Sequence, residues 1–279
     1  AMVQKAIEVR GLKVSVTEVP VPVAYGAAFE GERVRGDDIY LECGGGRTQM
    51  AEFSEMRPMN EIEDGKITIF GPDVKDAQPR SKLPLGIFIK VAGRQMQEDF
   101  LPILERQIHH LLNYAQGVMH IGQRDISWIR ISKQAVEKGF TLAHLGKILH
   151  AMYHKDFGAI VDKVEVEIYT EESRVDELTA HSRQVFKERD ERIADMTDED
   201  EETFYSCTLC QSFAPSHVCI VTPERTGLCG AYNWLDCKAS NEINPTGPNQ
   251  PVKKGDCIDT RLGQWKGVNE FVRQASRQQ

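Results

Sequence analysis

Long apolar runs are missing from this 279-residue chain. None approaches the roughly twenty residues needed to cross a bilayer, so no membrane span is expected. A basic excess is missing too. Lys and Arg number 34 against 42 Asp and Glu, a net charge of −8 that argues against a nucleic-acid or membrane-surface role. The opening residues, AMVQKAIEVRG, show no apolar core or cleavage-like region, so no secretory signal is expected and the cytoplasm is the expected location. There is no internal repeat, no low-complexity tract and no convincing pair of carboxylates for acid–base work. Cysteine is scarce over most of the length, with Cys43 alone before residue 207. A chain of this size needs no disulfide staples, and seven cysteines is an odd number. What is present, 41% hydrophobic and 27% charged residues, is the composition of a globular protein with a packed core.

Patterning gives the organisation. DDIYLEC, KITIF, LGIFIKVAG, ISWIRIS and the alternating VDKVEVEIYT read as strands, as does VRGLKVSV near the start. Apolar residues at Leu104, Ile108, Leu111, Leu112 and Ala115 mark an amphipathic helix within 96–116, and Leu142 to Tyr153 reads as a second. A long polar helix follows from EESRVDELTAHSRQVFKERDERIADM. Strands interleaved with helices imply an α+β (mixed α/β) fold. The acidic stretch DMTDEDEET lacks a helical stripe and reads as a linker. The expected division is therefore residues 1–195, a linker at 196–203, and a cysteine-rich second domain at 204–279.

That second region holds Cys207-x2-Cys210-x8-Cys219-x9-Cys229 within SCTLCQSFAPSHVCIVTPERTGLCG. A C-x2-C pair puts two thiolates on one tight turn, and two further thiolates from separate loops complete a tetrahedral set. Structural zinc favours a second paired spacing or two histidines, whereas His217 stands alone two residues before Cys219. On spacing, a [4Fe–4S] cluster stands slightly ahead of structural zinc, with disulfides well behind. Cys43, Cys237 and Cys257 have no metal-ligand spacing and read as ordinary thiols, Cys237 being the one a stray metal would recruit.

The intervening residues sharpen the choice. CTLCQSFAPSHVCIVTPERTGLCGAYNWLD, with the later EINPTGPNQPV, closely resembles the acetyl-CoA synthases of anaerobic carbon fixation, as do LECGGGRT, GKITIFGPD, YAQGVMHIGQRDISWIRIS and VFKERDER upstream. The resemblance implies that Cys207, Cys210, Cys219 and Cys229 hold a [4Fe–4S] cubane and that Cys210 also bridges to a proximal nickel. Phe213 would form an aromatic wall beside that nickel, plain packing under a metal loop being an equal alternative. The family condenses carbon monoxide, a methyl group borne by a corrinoid iron–sulfur protein, and coenzyme A into acetyl-CoA. The carbon monoxide dehydrogenase subunit is the other implied partner.

This sequence departs from the family pattern in one motif. It contains no Cys-Gly-Cys, the resemblance's ligand set for a second, distal nickel. The metal domain is therefore expected to be partial here and inactive by itself. Trp128 and Arg130, two apart in WIR, share one side of a strand and are candidates for the adenine and a phosphate of coenzyme A, against a packed tryptophan and a surface arginine. Arg47 and Arg124 are weaker versions of that reading, and GGGRT reads as a turn because it lacks P-loop spacing. His150 and His154 stand one helical turn apart, a chelating spacing whose usual reading is a solvated face. Two readings of other classes stay open: a non-catalytic [4Fe–4S] electron-transfer module and a zinc-stapled interaction domain.

Overall fold

A computed structural model describes residues 16, 18–23, 34–44, 50–123, 126–212 and 214–277. The stretch VRGLKVSV lies outside the described residues except for Val16, and Arg47, Arg124 and Phe213 lie outside them as well. The fold is mixed α/β, and the chain divides into two compact units, residues 1–184 and 185–279. The dividing point falls inside the long polar helix; of the stretch read as an acidic linker, residues 196–202 are irregular and lie within the second unit, and Thr203 begins its first strand. Among the described residues, no helix is long and apolar enough to cross a membrane.

Among the described residues, the first unit is built on two four-stranded sheets. One joins β1 (Ile39–Gly44), β4 (Ser81–Leu83), β6 (Val118–Gln123) and β7 (Ile126–Ser132) in the order β4-β1-β7-β6. The other joins β2 (Met50–Met56), β3 (Ile67–Phe70), β5 (Leu85–Ala92) and β8 (Lys163–Tyr169) in the order β2-β5-β8-β3. Its central strands are covered on both faces, so β5 reads as a continuous apolar run, as doubly buried strands do. Strand β8 alternates valine with glutamate, which in sequence looks half-exposed. In the fold Glu165 and Glu167 are buried, because Lys90 on β5 reaches Glu167 Oε1 at 2.5 Å and Glu165 Oε1 at 3.6 Å.

Helix α1 (Leu101–Leu112) and helix α3 (Leu142–Phe157) pack against these strands and each other, with short α2 (Lys133–Glu137) between them in sequence. The stripe read over 96–116 is helical over 101–112: Pro102 sits in the first turn, and a 3-10 turn at Glu98–Phe100 leads in. Tyr153 on α3 donates its hydroxyl to Leu104 O on α1 at 3.0 Å. Gly146 lets α3 lie directly on β3, since a Cβ there would come within 2.5 Å of Ile67 Cγ2. Helix α4 (Glu172–Ala194) is mostly polar and buries only Val175, Leu178 and Ser182.

The second unit centres on β9 (Thr203–Cys207), flanked by β10 (Cys219–Val221) and β11 (Pro251–Lys253) in antiparallel pairing. A hairpin of β12 (Cys257–Asp259) and β13 (Gln264–Trp265), with helices α5 (Trp234–Ile243) and α6 (Val268–Ala275), completes it. Period-two alternation along β9 sends successive side chains to opposite faces. Tyr205 and Cys207 join Val221, Trp234 and Cys237 in one core cluster, while Phe204 joins Val252, Trp265 and Val268 in another. Asn233 and Asp236 cap α5 reciprocally, so the chain turns into helix four residues after Cys229.

Candidate metal centre

The four spaced cysteines are brought to one end of β9. Cys207 ends that strand and Cys219 begins β10, and the two are direct cross-strand partners. Residues so placed share a face, with Cβ atoms roughly 4.5–5.5 Å apart. Cys210 follows on a 3-10 turn, Leu209–Ser212, and is partly exposed. Cys229 is exposed on a tight turn in which Gly227 N–H donates to Tyr232 O and Gly230 N–H to Gly227 O, each at 2.8 Å. Gly230 takes φ +69°, the left-handed region in which glycine carries no Cβ penalty.

Donors surround the sulfurs. Leu228 N–H points at Cys219 Sγ at 3.5 Å, Ala231 N–H at Cys229 Sγ at 3.4 Å, and His217 Nε2 lies 3.2 Å from Cys219 Sγ. Burial pushes the Cys207 thiol up; the Leu209 N–H and the Asn249 amide oppose this, and Cys219 and Cys229 close by add to it. A cation placed here would remove the like-charge opposition between the thiolates.

A buttress holds the cysteine end of β9. Asn249 is fully buried and its Nδ2 donates to Ser206 O at 3.1 Å and to Cys237 Sγ at 3.2 Å, while its Oδ1 accepts from Ser240 Oγ at 2.8 Å. Thr208 donates its N–H and its hydroxyl to Pro248 O, at 3.2 and 3.1 Å. The segment EINPTGPNQPV thus braces the cysteine-bearing end of β9. Neither Asn249 nor His217 stood out as a site residue in the sequence; the signal for Asn249 lay in the unusual word GPNQPV, and for His217 in its place two residues before Cys219.

The cysteine sulfurs are not gathered as tightly as the ligands of a single ion. Four thiolates at about 2.3 Å from a single tetrahedral zinc lie about 3.8 Å apart. Among the described residues, three donor atoms within 4.8 Å of one another occur at Asp64, His150 and His154, and the cysteine sulfurs do not gather that closely. No disulfide joins any of the seven cysteines. Cys43 and Cys237 are buried and Cys257 is exposed.

Trp128 and Arg130 lie on one side of β7, as their spacing implies, with the guanidinium 5.4 Å from the indole centroid. Arg130 Nε also donates to Glu42 Oε2 at 2.9 Å. The guanidinium covers the indole face, so stacking of an adenine there requires Arg130 to leave both partners. Glu42 lines an open pocket of about 380 Å³ with Asp37, Arg80 and Lys82, charges of both signs.

The fold and the gathered cysteines define the class: a mixed α/β protein with a candidate thiolate metal centre. A family model for the CO dehydrogenase/acetyl-CoA synthase complex beta subunit matches residues 21–175, and one for the C-terminal region of the ACS/CODH beta subunit matches residues 186–279. The chain belongs to this acetyl-CoA synthase beta-subunit family. It is 52% identical over 99% of its length to the carbon monoxide dehydrogenase/acetyl-CoA synthase subunit alpha of Moorella thermoacetica, covering 38% of that protein. It is 43% identical over 94% of its length to the acetyl-CoA decarbonylase/synthase complex subunit beta of Methanopyrus kandleri, covering 56% of it. For subunit beta 1 of Methanocaldococcus jannaschii the values are 42% identity, 99% of this chain and 36% of the relative. The chain thus spans between about a third and somewhat over half of these relatives.

Proposed function

We propose that Cys207, Cys210, Cys219 and Cys229 hold a [4Fe–4S] cluster and that the chain serves the acyl transfer of its family, the formation of acetyl-CoA from carbon monoxide, a corrinoid-borne methyl group and coenzyme A. The observation that carries this reading is the pairing of Cys207 with Cys219 across β9 and β10, with sulfurs spread wider than a single ion requires. When bound, the cluster with nickel beside it supplies the metal–carbon chemistry and the soft-ligand environment for it. Cys207 and Cys219 would hold the cluster from the ladder, Cys229 from its glycine turn and Cys210 from the more exposed 3-10 turn, where its thiolate would also serve nickel. Phe213 would supply the aromatic wall of the nickel site. Coenzyme A contacting Trp128 and Arg130 is part of the same proposal, with Arg130 swinging off Glu42 to meet a phosphate. The corrinoid iron–sulfur protein and the carbon monoxide dehydrogenase subunit are the proposed partners, and the cytoplasm the proposed location.

A polypeptide of these 279 residues carries one of the nickel-bridging thiolates that the resemblance calls for, Cys210, and no Cys-Gly-Cys. By itself it is expected to bind a cluster and make no acetyl-CoA. The test is an anaerobic redox titration of the iron–sulfur-loaded polypeptide, with and without added nickel. A signal that nickel perturbs, lost in Cys210→Ser, supports the synthase reading. A cluster that cycles reversibly and ignores nickel would make this an electron-transfer module. Acetyl-CoA formed by the 279-residue polypeptide from carbon monoxide and a methyl donor would overturn the expected inactivity.

A further inference from the structure

His150 and His154 do not project into solvent as a plain helical face. Both Nε2 atoms meet one carboxylate oxygen, Asp64 Oδ1, at 3.0 and 2.9 Å. Asp64 comes from a turn about ninety residues earlier, and that turn is clamped at two points on Val164 at the start of β8. Val164 N–H donates to Asp64 Oδ1, and Gly65 N–H donates to Val164 O, each at 2.9 Å. Gly65 takes φ +80°, and a Cβ there would touch the His150 ring at 3.6 Å. The two imidazoles are 4.6 Å apart between centroids, inclined at 66°. His150, His154 and Asp64 retain 27%, 31% and 42% side-chain exposure, so the cluster is open to solvent.

Asp64 Oδ1 meets one fixed donor, the Val164 N–H, and two imidazole nitrogens whose roles depend on the tautomer. With each ring protonated on Nδ1, both Nε2 atoms present lone pairs, and a metal ion can be shared by them and the carboxylate oxygen. Ions of this class sit about 2.0–2.1 Å from nitrogen and about 2.0–2.2 Å from oxygen, which places neighbouring donors roughly 2.9–3.4 Å apart. The nitrogen–oxygen separations of 3.0 and 2.9 Å already lie in that range. The i, i+4 histidine spacing is the one by which a helix presents two imidazoles to one ion.

We propose that Asp64, His150 and His154 form a binding site for a first-row divalent transition ion, separate from the cysteine centre, with solvent completing the coordination. Two imidazoles and one carboxylate select zinc, cobalt or nickel over calcium or magnesium, which prefer all-oxygen sites. The bound ion ties the Asp64 turn to α3 and β8, and it stabilises the folded first unit by mass action.

The test uses the cluster-loaded chain, in which the four cysteines proposed as cluster ligands are occupied, with Cys257→Ser to remove the remaining exposed thiol, and zinc as the probe in equilibrium dialysis. One zinc per chain beyond the cluster metals is expected. His150→Gln, His154→Gln and Asp64→Asn should each weaken that binding by at least about tenfold while leaving iron content unchanged. A direct readout on the parent chain is zinc-dependent movement of the His150 and His154 imidazole resonances in NMR, which does not depend on any variant folding. No extra zinc on the parent, equal zinc on the parent and all three variants, or imidazole resonances that ignore zinc would overturn the proposal.

Discussion

Cys207 stands directly across from Cys219 in the β9–β10 ladder, so two of the four spaced thiols are set by strand register rather than by loop conformation. Replacing either should lower cluster iron far more than replacing Cys257, which is exposed and outside the set. Iron and sulfide content of Cys207→Ser, Cys219→Ser and Cys257→Ser, prepared anaerobically, checks this. Equal iron in all three would contradict it.

His217 lies 3.2 Å from Cys219 Sγ and donates to it when Nε2 is protonated. Hydrogen bonds to cluster sulfurs raise the reduction potential by spreading negative charge. His217→Ala should keep its iron and show a lower midpoint potential. An unchanged potential would mean that His217 does not tune the cluster.

Asn249 is fully buried with both ends of its amide engaged, so Asn249→Ala leaves Ser206 O and Ser240 Oγ without that partner. Each buried polar group so abandoned costs about 1–3 kcal/mol. The thermal transition of the second unit should fall accordingly, while Gln250→Ala, whose side chain bonds Pro245 O and Gly247 O nearer the surface, should lower it less.

Asp64 gives a pH signature. Partial burial works against its ionisation, but the Val164 N–H and the two imidazoles outweigh this and hold its carboxyl at about 2. A carboxyl whose folded value is depressed adds stability above its unfolded value, and that stability is lost as pH falls from about 4 toward about 2. The side chain is 42% exposed, so screening reduces the contribution to about 1 kcal/mol. Denaturation across that window should be steeper in pH for the parent than for Asp64→Asn. Identical slopes would contradict the geometry.

Burial, with Asp73 and Glu42 nearby, pushes the Cys43 thiol up to about 12. In metal-free protein at pH 8, a disulfide reagent should label Cys229 and Cys257 first and reach Cys43 and Cys237 only on unfolding. Mapping the labelled peptides over time checks this, and labelling of Cys43 as fast as Cys257 would contradict it.

Much of the fold is legible where a pattern is local. ISWIRIS alternates and forms β7 over its whole length, and the stripe in Leu142 to Tyr153 lies within α3. Legibility fails where burial depends on distant partners. Glu165 and Glu167 look solvent-facing until Lys90 is placed beside them. Strand β2 passes unnoticed because Ser54 is buried at a polar letter, its N–H received by Glu105 on α1. The cysteine spacing marks a candidate metal centre, but the register of Cys207 on Cys219, the buttress of Asn249 and the meeting of Asp64 with His154 all arise from segments far apart in sequence. No periodicity carries such information.

The most direct test of the central claim is the iron, nickel, zinc and acid-labile sulfide content of the chain purified strictly without oxygen. A cluster at the four cysteines predicts about four iron and about four sulfide per chain, falling together when Cys207 or Cys219 is replaced. One zinc held by the cysteines, with no sulfide, would contradict it.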